Sequence, residues 1–287
     1  TLDGFLQHFN FPTLEAGVKH ERGMTGMLCA ILAGDTDIVK VLVGHHADVN
    51  ARASGLEHLG FPTSVTFLMV ASANCHDPGM LSALMTLRAD PNMSCISETG
   101  SIVTASWAAS TPGHVRVLLE MKADFTTSPP LTGAVSNSTE TVRAFLEARC
   151  DPSMEGPNGF GPMHSLPFFG RGNPHATSTM QLLLSSRGDA NAQARPRGLL
   201  YRDCMLARLS AAFWGLEHCS VYQRQMASLP GATPLSIAAI AGDQELVKVL
   251  LENEAEHLPN DRGDTPEDLA RAAGHTELLP ILSTFSV

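Results

Sequence analysis

The sequence predicts an all-α solenoid, a stack of helix-turn-helix units joined by short β-hairpin fingers, on three observations. One pattern recurs in phase along the chain, its halves carry apolar residues at helical period, and turn-forming residues punctuate it at matching places. From an opening Thr or Ser to a closing acid there are 23 residues in four units: Thr25 to Asp48, Ser101 to Asp124, Ser128 to Asp151 and Thr233 to Glu256. Thr66 to Asp90 is one residue longer, and Gly161 to Asp189 is five longer, with its excess in Gly170-Arg171-Gly172-Asn173-Pro174. A partial unit runs from Thr265-Pro266 to Gly274-His275.

Each recurring residue has a mechanical reason. A hydroxyl at a helix start accepts a bond from an orphan backbone N–H, and a proline at the first helical position withholds no needed donor; Thr233-Pro234, Ser128-Pro129 and Thr265-Pro266 show the pair. Ala238 and Ala239 let helices approach closely, and Gly34 and Gly242 suit the left-handed residue that ends a first helix. Ile38, Val39 and Leu42, like Leu246, Val247 and Leu250, mark one face of a second helix. Endings such as Ala47-Asp48-Val49-Asn50 suit a tight turn into a finger.

The clearest unit reads Thr233-Pro234-Leu235-Ser236-Ile237-Ala238-Ala239-Ile240-Ala241-Gly242, then Glu245 to Leu251, then Glu254-Ala255-Glu256. These residues, with Thr25 to Ala51, resemble the ankyrin repeat: Thr-Pro-Leu-His, paired alanines, a helix-ending glycine, a Val/Leu-rich second helix and Ala-Asp-Val-Asn. The resemblance places a cap at 1–22 and an ankyrin-repeat domain at 23–287, with repeats near 23–52, 64–94, 101–127, 128–153, 161–192, 232–258 and 263–287 and an insertion at 193–231. The chain departs from the pattern in its middle. Thr-Pro-Leu-His is intact nowhere, Gly161-Pro162-Met163-His164 keeps the histidine, and Ser110 and Asn137 stand where the glycine is expected.

Spacing locates what is irregular. Asp124 to Ser128 is four residues, so that finger shrinks to a turn; Asp48 to Thr66 is 18, a long finger carrying Leu56, Leu59, Phe61 and Pro62. Asp189 to Thr233 is 44. The resulting insertion opens as a loop at Arg195-Pro196-Arg197-Gly198 and continues as an amphipathic helix from Tyr201 to His218, with Met205, Leu206, Leu209, Phe213 and Leu216 on one stripe. Three readings stand. The helix folds back over the solenoid's own groove; or Tyr201, Phe213, Trp214 and Tyr222 anchor a partner, with Arg195 and Arg197 beside them; or Ala211-Ala212-Phe213-Trp214-Gly215 is a decayed first helix, for which Cys219 to Arg224 makes a poor second one. Phe5, Leu6 and Phe9 suit a cap on the first repeat, and Glu277 to Leu282, interrupted by Pro280, a short last helix.

Composition narrows the chemistry. The net charge is −10, so nucleic acid and anionic lipid are disfavoured as partners, and no apolar run is long enough to span a membrane. Cys29, Cys75, Cys95, Cys150, Cys204 and Cys219 lack metal-ligand spacing and read as reduced thiols in a reducing, cytoplasmic setting; an organelle interior fits if the chain, which starts at Thr1, is processed or part of a longer one. His45-His46 read as exposed residues at a helix C-terminus, and His164 and His275 as structural. Cys204 and Cys219 share an ion or a disulfide only if their helix bends. No nucleophile elbow or phosphate loop is present, and Gly156 to Gly161 reads as a finger turn and helix start. No catalytic activity, metal, cofactor or small-molecule ligand is therefore expected. Trp107, where the resemblance expects alanine, either fills space beside Ala108, Ala109 and Gly113 or touches a partner.

The resemblance implies an adaptor or scaffold that binds a protein through its concave surface and the 193–231 insertion; a partner with basic patches fits the −10 charge. The alternative is a structural subunit built permanently into a large assembly, including one inside an organelle.

Overall fold

The computed structural model describes residues 4, 8, 25–53, 56, 62, 64–97, 100–170, 172–215 and 218–284. Apart from Gly4 and His8, the cap predicted at 1–22 lies outside them, as do the finger residues Leu59 and Phe61. The repeats predict one continuous domain over 23–287; the fold divides into two compact units, one of residues 1–98 and 102–130, the other of residues 99–101 and 131–287.

In the first unit, helices α1 (Gly26–Leu32) and α2 (Thr36–Gly44) form a hairpin, followed by α3 (Phe67–Asn74) and α4 (Gly79–Thr86), with α1 against α3 and α2 against α4. An antiparallel finger links the two pairs, β1 (Arg52–Ala53) with β2 (Val65–Thr66), and a second, β3 (Cys95–Ile96) with β4 (Ile102–Val103), follows α4. Thr25 and Thr66 cap α1 and α3 through their hydroxyls, which accept from Leu28 N at 3.2 Å and Met69 N at 3.3 Å. Leu28, Ile31, Val39, Leu68, Leu81 and Leu84 are fully buried between the helix layers. Asn50 stitches the finger bases together, donating to the Arg88 carbonyl and accepting from Asp90 N at 2.8 Å; Asn92 accepts from Asp124 N at 2.7 Å.

The next unit departs from its pattern. Where a first helix is expected, residues 105–108 form a turn, held by Ala108 N to the Thr104 carbonyl and Ala109 N to the Ser106 carbonyl, before α5 (Pro112–Glu120). Without a proline at the helix start or a glycine at its end, Ser110 closes the turn instead, bonding the Ser72 carbonyl through both its N–H and its hydroxyl. The shortened finger is a turn wrapped round Asp124, whose carboxylate accepts from Thr126 N and from the Thr126 and Thr127 hydroxyls; these bonds pull its pKa down to about 2. Ser128 does not cap a helix: its hydroxyl donates to the Ile102 carbonyl at 2.6 Å.

The second unit contains α6 (Leu131–Ala134), one turn long, and α7 (Thr139–Glu147), then α8 (Pro162–Phe169) and α9 (Ala176–Ser185). After the insertion come α12 (Pro234–Ala241), α13 (Gln244–Glu252) and α14 (Pro266–Ala273), then a 3-10 turn at Thr276–Leu278 and α15 (Leu279–Thr284). Pro280 does not interrupt this last helix. It is the second residue of α15, where no intrahelical donor is required. Gly242 and Gly274 end α12 and α14 with φ of 74° and 88°.

Thr233 is fully buried, and its hydroxyl accepts from Ser236 N at 3.2 Å. Thr233→Ala is expected to lower stability by about 1 kcal/mol, the usual cost of an N-cap, and Thr233→Ser to restore most of it. Urea midpoints of the two variants check this.

Candidate functional site

The insertion is a helical hairpin, α10 (Gly198–Trp214) and α11 (Val221–Ser228), packed closely together. It leaves and rejoins the fold at one point: Ala194 N donates to the Ala232 carbonyl and Gly231 N to the Ala194 carbonyl. Across that neck the stack continues unbroken, α8 against α12 and α9 against α13. The decayed-repeat reading therefore fails, because α10 and α11 hold no place in the stack.

The helix boundaries differ from expectation for local reasons. α10 starts at Gly198 and stops at Trp214, where Gly215 takes φ of 82°. The chain turns there and Ser220 starts α11 with a reciprocal cap: its hydroxyl accepts from Gln223 N at 3.2 Å, while the Gln223 side chain accepts from Ser220 N at 2.9 Å. That Ser-x-x-Gln signature was legible in the sequence, which nonetheless reads there as a poor helix.

The face of α10 that meets the fold is the small one. Leu200, Cys204, Ala207 and Ala211 are buried with Cys219, Met226, Ala227 and Leu229 of the α11 side and with Phe160 and Ile237 of the repeats; Phe168 of α8 packs against the same cluster. α12 is consequently buried along its whole length, enclosed by α8, α13, α14 and the insertion. Arg208 donates to the Ala227 carbonyl at 3.0 Å, and Arg224 to the Ala272 carbonyl at the end of α14. Cys204, held up to about 12 by burial, stays a thiol; it shares this core with Cys219, and all six cysteines are free.

The large residues face outward. Leu206 is 58% exposed, Leu209 64%, Phe213 87% and Trp214 71%, with Leu199, Tyr201 and Tyr222 also exposed. The insertion does pack back on the repeats, but turned over: Met205 packs inward, Leu206, Leu209 and Phe213 do not, and Leu216 of the predicted stripe lies outside the described residues. Residues 199, 202, 206, 209 and 213 follow the 3-4 spacing of a helix seam, a signal the sequence carried in Leu199 and Arg202 as well.

The other predicted positions are distributed as follows. Arg195 is exposed at the neck; Arg197 is exposed, pairs with Glu155 at 3.5 Å, and its N–H donates to the Asn158 carbonyl at 2.8 Å. Tyr201, Phe213, Trp214 and Tyr222 belong with them to the second unit. Trp107 lies in the first, half-buried in the turn 105–108. His164 is buried and its Nε2 meets the Ala192 carbonyl at 2.9 Å. Among the described residues, no group of three or more His, Cys, Asp or Glu is placed to hold a metal ion, and no helix is long and apolar enough to cross a membrane.

Paired short helices, Thr-capped and glycine-ended, with finger turns clipped by Asn side chains, define a helical-repeat protein of the ankyrin class. The ankyrin repeat family model matches residues 22–54 and 230–264. Among solved structures, the human ASB11 ankyrin repeat domain aligns with a TM-score of 0.54 at 18% identity, covering 85% of this chain and 94% of that one, a likeness of fold. No curated protein matches the sequence. Two stretches of the chain thus match the ankyrin repeat, and the chain has the all-α solenoid fold of an ankyrin repeat domain. Ankyrin repeats are generally protein–protein interaction modules and typically not catalytic.

Proposed function

We propose that this chain is an adaptor that binds a protein partner through the outward face of its insertion, with Leu206, Leu209, Phe213 and Trp214 as the anchors. The observation that carries this reading is the inverted helix. α10 buries alanines and a cysteine while leaving its largest side chains in water. Covering a Leu or Phe is worth roughly 1.5–3 kcal/mol each, so the fold leaves several kcal/mol unclaimed on one stripe. Exposed aromatic and aliphatic residues at that density mark interaction surfaces. Because the hairpin covers the first helices beneath it, the partner of the second unit meets the insertion rather than a bare concave groove. Arg195, Arg197 and Tyr201 flank the stripe near the neck, and Tyr222 sits on α11. Trp107 is a separate contact on the first unit. A partner with basic patches suits the net charge of −10, and its association rate should then fall as salt rises.

The test compares the wild-type chain with Leu206→Ser/Leu209→Ser/Phe213→Ser as bait in quantitative affinity capture. Because these side chains are mostly exposed, the melting temperature is expected to change by no more than about 2 °C while a protein captured by the wild type is lost. An identical set of captured proteins on both baits would refute the assignment. A permanent subunit of a large assembly would expose the same stripe; an adaptor stays monomeric when purified alone and concentrated, whereas an orphaned subunit aggregates.

A further inference from the structure

Every second helix that ends in the described repeats is followed by a residue in the left-handed region. These are His46 (φ 68°), Arg88 (67°) and Lys122 (58°) in the first unit, and Arg149 (64°), Arg187 (74°) and Glu254 (62°) in the second. Glycine adopts this conformation freely, and the same chain uses it that way after first helices, at Gly34, Gly242 and Gly274. A side chain with a Cβ costs about 1 kcal/mol or more there. A cation at a helix C-terminus returns only about 0.3–1 kcal/mol. Folding therefore has little to gain from arginine or lysine over glycine, yet five of the six positions are basic. All are exposed, and the ion pairs among the described residues use other cations.

In the first unit the cations Arg88 and Lys122, with His46 in line before them, form rungs of one edge. Asn50 ties the first to the second and Asn92 the second to the third through the finger bonds described above. Neighbouring packed helices set a spacing of about 8–10 Å. Two residues beyond His46, Arg88 and Lys122 stands an acid, Asp48, Asp90 or Asp124, already committed to a turn bond from Asn50 N, Asn92 N or Thr126 N. A row of fixed negative charge thus runs beside the positive one.

We propose that this edge is a docking site for an extended acidic polypeptide segment, with a carboxylate at every third residue, seated on His46, Arg88 and Lys122. A polyproline-II chain repeats every three residues at about 3.1 Å each, so such carboxylates recur on one face at about 9 Å and match the rungs. Its intervening residues meet the Asp row without charge. Nucleic acid fits worse, because its charges come about every 1.7 Å of axis in a duplex and about every 3.4 Å along one strand and would be pressed against that row; an anionic lipid surface has the same fault. The net charge of −10 acts at longer range and is screened beyond about 8 Å at physiological salt.

Fluorescence anisotropy of the full chain with a labelled peptide repeating Glu-Pro-Pro tests this, with a Lys-Pro-Pro peptide, oligouridylate and phosphatidylserine-containing vesicles as the other probes. The acidic peptide is expected to bind, and Arg88→Gly/Lys122→Gly to weaken it about tenfold without lowering the melting temperature. Should the glycine variant loosen the fold, Arg88→Asn/Lys122→Asn removes the same charges with a residue that tolerates the backbone. Absence of peptide binding, an affinity unchanged in the charge-free variants, or equal binding of oligouridylate or vesicles would each overturn the proposal.

Discussion

Gly159→Ala is expected to destabilise the second unit by about 3 kcal/mol or more and to loosen the neck of the insertion. Gly159 has φ of 75°, and a Cβ built on it would lie 1.9 Å from the Arg195 carbonyl oxygen and 2.8 Å from its carbon. Those atoms are backbone, so no side-chain rotation relieves the overlap. Either the finger 156–160 or the strand of chain entering the insertion must move, and with it the bond from Arg197 N to the Asn158 carbonyl. The cost adds a left-handed penalty of about 1 kcal/mol, overpacking of about 1–3 kcal/mol and a lost hydrogen bond of about 1 kcal/mol. Gly172 supplies the control: its φ is 82° but a Cβ there meets nothing within 4 Å, so Gly172→Ala should cost only the first of these. Thermal melts measure the difference, and trypsin cleavage after Arg197, faster in Gly159→Ala alone, reports the loosened neck. Equal stability of the two variants would show that the finger does not hold the insertion.

This contact also shows where sequence reasoning reaches its limit. The repeat phase was legible because each unit is specified locally: a hydroxyl before an apolar run, a glycine after it, and helical spacing between. Thr25, Thr66, Thr233 and Thr265 cap helices where that logic puts them. Ser128 does not: its hydroxyl donates to the Ile102 carbonyl, and nothing near it in the chain reveals that. The insertion shows the same limit at the scale of a helix. Its amphipathic stripe was visible, and the ordinary rule that the larger apolar face turns inward pointed the wrong way. In the fold α10 lies against α11 and beside Phe160 and Phe168, with the small side chains of Ala207 and Ala211 in that layer and Leu209 and Phe213 outside it. Which face a helix buries depends on the shape of the surface beneath it, and that surface is assembled from residues far away in sequence. Gly156-Pro157-Asn158-Gly159 likewise reads as a turn in the sequence, whereas its tight approach to Arg195 exists only in the fold.

Stability is expected to fall steeply as the pH drops below about 6.5, because the chain buries two histidines in neutral form. His164 is almost wholly enclosed, and burial lowers its pKa from 6.5, partly offset by the Ala192 carbonyl on its Nε2 and by the charge of Asp189. His114 in the first unit is also buried, and desolvation again dominates: the Cys75 and Ser72 carbonyls and Asp77 act upward, His76 downward, and Ser110 Oγ lies 3.4 Å from its Nδ1. In the unfolded chain both rings take up a proton near 6.5. The folded chain takes them up only at lower pH, so the unfolded state binds more protons between the two values. Stability contributed by each histidine is therefore complete above the unfolded pKa and declines as pH falls toward the folded one. The slope is at most about 1.4 kcal/mol per pH unit for each ring, or about 2.8 with both, and it flattens once the folded rings protonate. Urea unfolding between pH 7.5 and 5 measures it, with far-UV signal following the whole chain. His114→Gln and His164→Gln should each remove up to half of the slope in the acid range, whatever they cost at neutral pH, and the double variant should flatten it. A stability profile level from pH 7 to 5.5 in the unaltered chain would mean that these rings already meet water or a proton in the folded state, and the buried layer assigned to them in each unit would be wrong.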